Sequence, residues 1–401
     1  MNANLATSTA EVLRARLATQ LIFFVCGLGM ASWAPMVPLA KDRLALNDAS
    51  LGMLLLLLGA GAMLMMPTSG WLVSRFGSRV VMAWAALVMA LTLPLLLLLS
   101  STTAMAITLF VFGSAIGAID VAMNAHGLQV QNLSGKPIMS SLHGLFSVGG
   151  LFGSLGLGFL IKLGLNPVYA IGSIALLMVI ITITQFRQLF PVDVEQRVMA
   201  QFATVEKKLT EGKQPFTWWN SSVLFLGLMC FAVFLAEGAI LDWSAIFLRD
   251  GKGIDAELAG SGYAAFSVAM ATMRLVGDKL VVRLNGRTVV VGGSLLGAVG
   301  LVAAVLSPWV FGTLLGFLLL GLGAASIVPV FFSAAGRLPG IAPTVSIPAI
   351  TTMGYTGLLA GPALLGFIAH HFSLAVALGF VALLLVVVAL GYQVKGKTYP
   401  Y

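Results

Sequence analysis

Long apolar runs broken by short polar stretches organise this sequence from end to end. Runs of about 20 residues or more, enough to cross a bilayer as a helix, fall near 16–40, 49–73, 79–99, 104–131, 137–162, 166–187, 220–248, 257–282, 287–307, 309–335, 343–369 and 373–393. The pattern predicts an all-α membrane protein with twelve transmembrane helices. The first run follows Arg14 and Arg16 as a secretory signal would, but it is too long and contains Pro35 and Pro38, so it reads as an uncleaved first helix. The longest hydrophilic stretch divides the twelve helices six and six. The expected organisation is a six-helix bundle over 1–187, a solvated cytoplasmic linker over 188–219 and a second six-helix bundle over 220–401.

The two halves repeat at an offset close to 208. Asp48-Ala49-x-Leu51 returns as Asp255-Ala256-x-Leu258, Gly70 as Gly277, Gly113 as Gly321, and the Gly149, Gly153, Gly158-Phe159 series as Gly357, Gly361, Gly366-Phe367. Trp33 and Trp243 close the first and seventh spans in the same way. Two pseudo-symmetric bundles point to a secondary transporter with its site near mid-membrane, where the halves meet.

Composition excludes a soluble globule: 59% of the 401 residues are hydrophobic, 9% are charged, and the mean hydropathy is +1.02. The net charge of +8 reflects loop placement rather than nucleic-acid binding. With the N-terminus assigned to the cytoplasm, 17 basic residues fall inside and 5 outside, which predicts an inner membrane with both termini cytoplasmic. Cys26 and Cys230 sit in apolar runs without metal spacing and read as small hydrophobes. The 45 glycines cluster at small-x-x-x-small spacing, which close helix packing explains. Residues 391–398, GYQVKGKT, imitate a phosphate loop, but they close an apolar run with no preceding strand and no following helix to present its N-terminus to phosphates. Nothing resembles a metal site, a catalytic triad or a cofactor motif.

Ionisable groups inside spans cost about 2.5–3.5 kcal/mol near the bilayer centre unless they face protein or water, so they are the functional candidates. On the fourth span Asp120, Asn124 and Gln131 share one helical face, with Asp120 a proton carrier or a structural acid and Asn124 a substrate group or its partner. His143 and Ser147, four apart on the fifth span, count to the same depth from the intervening turn, which predicts Asp120 and His143 as a coupled proton site. Glu237, midway along the seventh span, is a second buried carboxylate for proton or substrate. Asp242, Trp243 and Trp33 lie nearer the outer end and suit an external gate, with membrane-girdle tryptophans the alternative. Arg274 and Asp278 sit four apart near the inner end of the eighth span, as an ion pair of the inner gate, unless Arg274 turns into the cavity to hold an anionic group.

Between the second and third spans GWLVSRFGSRVV, residues 70–81, resembles the signature loop of the major facilitator superfamily. Gly70, Leu72, Arg75, Gly77 and Arg79 match, and Ser74 stands where the family has an acid. Its counterpart, GDKLVVRLNGR, keeps Gly277, Asp278, Arg283, Gly286 and Arg287 with altered spacing. DVAMN at 120–124, HGLFSVGG at 143–150, EGAILDW at 237–243 and RLVGDKL at 274–280 resemble a bacterial subgroup close to the fucose permease.

The resemblance implies proton-driven symport of a small, sugar-like solute by a protein that works as a monomer, with a helix 4 carboxylate carrying the proton. It also implies inner-gate roles for Arg75, Arg79 and Asp278. The first span lacks the acid that the fucose permease uses for its sugar. GLLAGPALLG, 357–366, resembles the Gly-x-x-x-Gly-Pro motif of drug–proton antiporters, but on the eleventh span rather than the fifth. Proton-coupled export of metabolites or drugs is therefore an alternative. A non-transporting sensor or a passive facilitator is the alternative of another class.

Overall fold

The computed structural model describes residues 9–135, 138–198, 220–335, 337–338, 341 and 343–396. Among them every regular element is helical, and twelve long helices follow the predicted spans. The first bundle comprises α1 (Thr9–Arg43), α2 (Asp48–Phe76), α3 (Ser78–Leu98), α4 (Thr102–Ser134), α5 (Met139–Lys162) and α6 (Pro167–Phe186). The second comprises α7 (Ser221–Ile246, continued by a π-turn Phe247–Gly251), α8 (Ser261–Leu284), α9 (Gly286–Leu306), α10 (Val310–Ala335), α11 (Pro343–His371) and α12 (Leu374–Lys395). Eleven of these helices, all but α8, are long and apolar enough to cross a membrane among the described residues.

Helix boundaries follow local chemistry. Asn47, Ser101, Asn166, Asn220, Asn285 and Ser373 each accept a backbone N–H of the first turn that follows, which satisfies donors the helix itself cannot. Pro35 lies inside the 3-10 turn Ala34–Met36 that bends α1, because proline removes a donor and clashes with the preceding turn. The repeat reaches the backbone: Gly77 (φ 84°) and Asn285 (φ 59°) occupy the same positive-φ corner of the two signature loops.

Within the bundles, glycines bring backbones together. A side chain at Gly27 or Gly149 would strike the α1–α5 contact, and one at Gly357 would strike α7 against α11. The pairings α1–α5, α2–α4 and α3–α4 recur as α7–α11, α8–α10 and α9–α10. The bundles meet along α2–α11 and α5–α8. Near the face opposite the termini these seams are tight: Gly52 lies against Pro362 and Gly366, Gly158 against Glu257, and Gly260 against Ser154. Large apolar side chains cover the outside, with Leu91 70% and Phe311 78% exposed, as a lipid-facing surface requires.

The stretch after α6 departs from the expected solvated linker. Residues 192–198 are helical, and Leu189, Phe190, Glu195 and Val198 are buried against the first bundle. Residues 199–219, the rest of the predicted linker, lie outside the described residues.

Candidate functional site

Asp120 projects from the middle of α4 into the region between the bundles, where it is half-buried. Asn124, one turn along the same helix, donates from Nδ2 to the Asp120 carbonyl at 2.9 Å and to Asp120 Oδ1 at 3.2 Å. The other carboxylate oxygen, Oδ2, accepts from the Tyr355 hydroxyl of α11 at 2.8 Å. Tyr355 is oriented by stacking on Phe234 of α7, with ring centroids 5.4 Å apart. Donors from both bundles thus converge on one carboxylate.

Sequence reading missed Tyr355. It sits among glycines and threonines on an apolar run, and its partner is 235 residues away. The repeat offset carried the available signal, because Tyr355 is the counterpart of Ser147.

A second group assembles across the α5–α8 seam. Arg274 donates from Nη1 to Ser147 Oγ at 3.3 Å, and Ser147 in turn donates to the His143 carbonyl at 3.2 Å. Arg274 is close enough to Glu237, His143 and Tyr263 to act on their charge. It lies roughly midway along α8, not at the inner end that the sequence reading gave it. The Asp278 side chain lies outside the described residues.

The expected Asp120–His143 pair is not brought together. The His143 ring meets Phe23 edge-on at 5.2 Å and faces Arg274, while Asp120 turns to Tyr355. Equal depth on α4 and α5 does not make them neighbours, because α1 packs along α5 and also against α4, parting the two helices beyond their shared turn.

Gln131 also departs from its expected place in the site. Its Oε1 accepts from Ile138 N at 2.9 Å and so caps the start of α5. A polar residue at helical spacing had the look of a site wall, but local capping accounts for it.

The face opposite the termini is closed by residues the sequence reading did not assign to a gate. Lys41 at the end of α1 pairs with Asp48 at 2.8 Å and with Asp250 of the other bundle at 3.3 Å. Arg249 spans the same gap to Asp42, with Nη2 3.0 Å from Oδ1, and to the Pro38 carbonyl at 3.0 Å. Trp33 and Trp243 are fully buried, which does not suit membrane-girdle tryptophans, and Asp242 beside Trp243 is 7% exposed. Charges at helix ends read as solvated flanks, so only the packed structure reveals the cross-bundle pairs.

At the opposite face the signature loop holds its acid from elsewhere. Ser74, at the expected acidic position, only donates to the Trp71 carbonyl. Glu195 of the helical stretch 192–198 supplies a carboxylate instead, its Oε2 accepting from Ser78 N at 2.8 Å near Arg79. Burial pushes the Glu195 carboxyl up to about 7, against the pull of the Ser78 hydrogen bonds and Arg79. Arg75 lies over Trp71 and Phe76, and Arg79 over Phe186.

His126, also missed, ties this stretch to the bundle. Its Nε2 accepts from Phe190 N at 3.0 Å, so Nδ1 carries the proton and faces Thr19 Oγ1 at 2.9 Å. That makes His126 a neutral clasp between α1, α4 and the segment after α6. Among the described residues no His, Cys, Asp and Glu cluster could hold a metal ion.

Comparison with known proteins agrees with this architecture. The family model of the Major Facilitator Superfamily matches residues 20–355. An uncharacterized MFS-type transporter of Yersinia pestis is 46% identical over 374 residues, covering 93% of this chain and 94% of the relative. Membrane protein MosC of Rhizobium meliloti is 32% identical over 367 residues, covering 92% and 86%.

Among solved structures, a mutant form of the nucleoside transporter NupG aligns with a TM-score of 0.72 at 15% identity, covering 95% of this chain and 99% of that one. A bacterial homolog of the human lysosomal transporter Spinster, solved inward-facing and unoccupied, aligns with a TM-score of 0.73 at 13% identity, covering 98% of both chains. The chain therefore belongs to the Major Facilitator Superfamily and is a multi-pass, non-enzymatic membrane transporter.

Proposed function

We propose that this transporter is a proton-coupled symporter that moves a small polar, sugar-like solute by alternating access. Its setting is a bacterial inner membrane, with both termini in the cytoplasm. The observation that carries the reading is the half-buried Asp120 carboxylate, held at once by Asn124 of its own bundle and Tyr355 of the other.

A charge that deep is costly in low dielectric, and a proton neutralises it. When Asp120 takes a proton, Tyr355 loses a charged acceptor and the bond between the bundles weakens. Proton loading is thereby linked to the relative motion of the bundles. Rocking to the opposite state breaks the Lys41–Asp250 and Arg249–Asp42 pairs at the closed face and frees a path to the site. Asn124, Ser147, Glu237 and Arg274 supply hydrogen-bonding groups around the same space, with Phe234 as an apolar wall.

Purified protein in liposomes with an internal pH dye, challenged with sugars, sugar acids, amino acids and cationic dyes, tests the reading. Solute entry should carry protons in the same direction. Solute flux without proton movement, or with protons moving oppositely, contradicts symport.

A further inference from the structure

At the closed face α1 ends in Lys41-Asp42-Arg43, and α7 with its π-turn ends in Arg249-Asp250-Gly251-Lys252. At the repeat offset of 208, Lys41 answers to Arg249 and Asp42 to Asp250. The pairs across the gap are reciprocal, because the cation of each half meets the acid of the other. Lys41 lies 3.3 Å from Asp250, and Arg249 Nη2 lies 3.0 Å from Asp42 Oδ1.

The remaining cation of each set turns back into its own bundle. Arg43 donates from Nε to the Leu99 carbonyl and from Nη2 to the Leu96 carbonyl, both at 2.8 Å, at the end of α3. Lys252 donates from Nζ to the Ser307 carbonyl at 2.6 Å and to the Val305 carbonyl at 3.2 Å, at the end of α9. The final carbonyls of a helix lack intrahelical donors and form its negative pole, so a cation is held well there. In the repeat, however, Arg43 answers to Gly251 and Lys252 to Leu44. Each half thus fastens the equivalent helix end from a different position and with a different side chain.

Beyond each cation the chain turns through a positive φ, at Ala45 (50°) and at Gly253 (70°). Their N–H groups donate back to the Asp42 and Arg249 carbonyls at 3.0 and 3.1 Å. Ala45 has none of glycine's freedom, and such a backbone persists only where its surroundings hold it.

We propose that Arg43 and Lys252 are positioning residues of the closed-face gate. Each fastens the gate-bearing end of its helix to α3 or α9 of its own bundle. The reciprocal pairs then form with pre-set geometry and part when the bundles themselves move. This rests on the reading of the chain as an alternating-access transporter. With a fastening removed, the helix end loses that geometry and the ion pairs contribute less to closure.

The test places spin labels at Tyr169→Cys on α6 and Val376→Cys on α12, two exposed sites on helices that carry neither fastening. Cys26 and Cys230 are buried and stay unlabelled. In low salt, Arg43→Gln and Lys252→Gln should each raise the ratio of open to closed face about two- to fivefold, as weakened surface ion pairs predict. Arg43→Lys and Lys252→Arg keep a cation on the carbonyls and should restore the wild-type ratio. With Asp42→Asn and Asp250→Asn combined, no cross-bundle pair is left to position, and either glutamine variant should then add nothing further.

A merely structural cap would change the ratio by the same factor in both backgrounds, and that result overturns the assignment. So does a ratio unchanged by removal of the two acids, which leaves alternating access standing. A single unchanged distance in the wild type and every variant brings down alternating access and the assignment together. If one glutamine variant fails to fold, the other decides; failure of both makes the caps structural and overturns the assignment.

Discussion

The Tyr355 hydroxyl and the Asp120 carboxylate, 2.8 Å apart, join the two bundles at the centre of the protein. Both side chains are partly exposed, so the bond is open to competition from solute or water. A hydrogen bond to a charged group contributes about 1.5–3 kcal/mol, enough to shift a two-state balance by about ten- to hundredfold. Tyr355→Phe should therefore shift the population away from the state described here. Spin labels at Thr102 and Phe311, on opposite bundles at the closed face, should report longer distances in the variant.

The closed face should itself be sensitive to charge. Asp250→Asn removes the cross-bundle acidic partner of Lys41 and one of the two acidic partners of Arg249, leaving Arg249–Asp42. Each exposed pair is worth about 0.2–1 kcal/mol and is screened by salt. The same spin-label distance should lengthen in Asp250→Asn, and in the wild type it should lengthen as salt is raised. No response to either change would show that apolar packing along α2–α11 and α5–α8 closes this face alone.

Docking of the helical stretch 192–198 should depend on pH through Glu195. Its docked carboxyl lies near 7, above its ordinary 4.5, so the docked state binds the proton more tightly than the undocked one. Docking is then strongest below about 4.5 and weakens as pH rises towards 7, by about 3 kcal/mol at most. Glu195→Gln keeps an acceptor for Ser78 N and should dock independently of pH. Hydrogen-exchange protection across 189–198, with rates corrected for the intrinsic exchange rate at each pH and compared at pH 5 and pH 8, reads this. Lower protection at pH 5 than at pH 8 would reverse the sign and contradict the account.

The signature loops offer a stability comparison. Gly77 adopts a positive φ, and a side chain there would also meet Val192, so Gly77→Ala should cost about 1–3 kcal/mol. At the repeat position, Asn285→Gly relieves the strained backbone but gives up the cap on Thr288 N, and these nearly cancel. Thermal melting in detergent should show a clear loss for the first and a change within about 0.5 kcal/mol for the second.

What the sequence revealed and what it hid follow from how each feature is encoded. Spans, the six-and-six division and the repeat were legible because lipid demands long apolar runs and duplicated glycines mark duplicated packing. Asp120, Glu237 and Arg274 stood out because charge is expensive there. Partnerships were illegible: Tyr355 with Asp120, Lys41 with Asp250, and Glu195 with the signature loop all join elements far apart in the chain. Rotation about the helix axis was illegible too, which is why counting depth along α4 and α5 paired His143 with Asp120. Gln131 misled for a third reason, since a capping side chain and a site residue can share the same helical spacing.

The central claim is that Asp120 carries the coupling proton, and one variant tests it most directly. In proteoliposomes, Asp120→Asn should abolish uphill accumulation driven by a proton gradient, because a permanently neutral side chain can neither load nor release. Exchange of solute down its own gradient should persist, because the same neutral side chain mimics the loaded state. Full uphill accumulation by the Asp120→Asn protein would contradict the account and move the proton to Glu237.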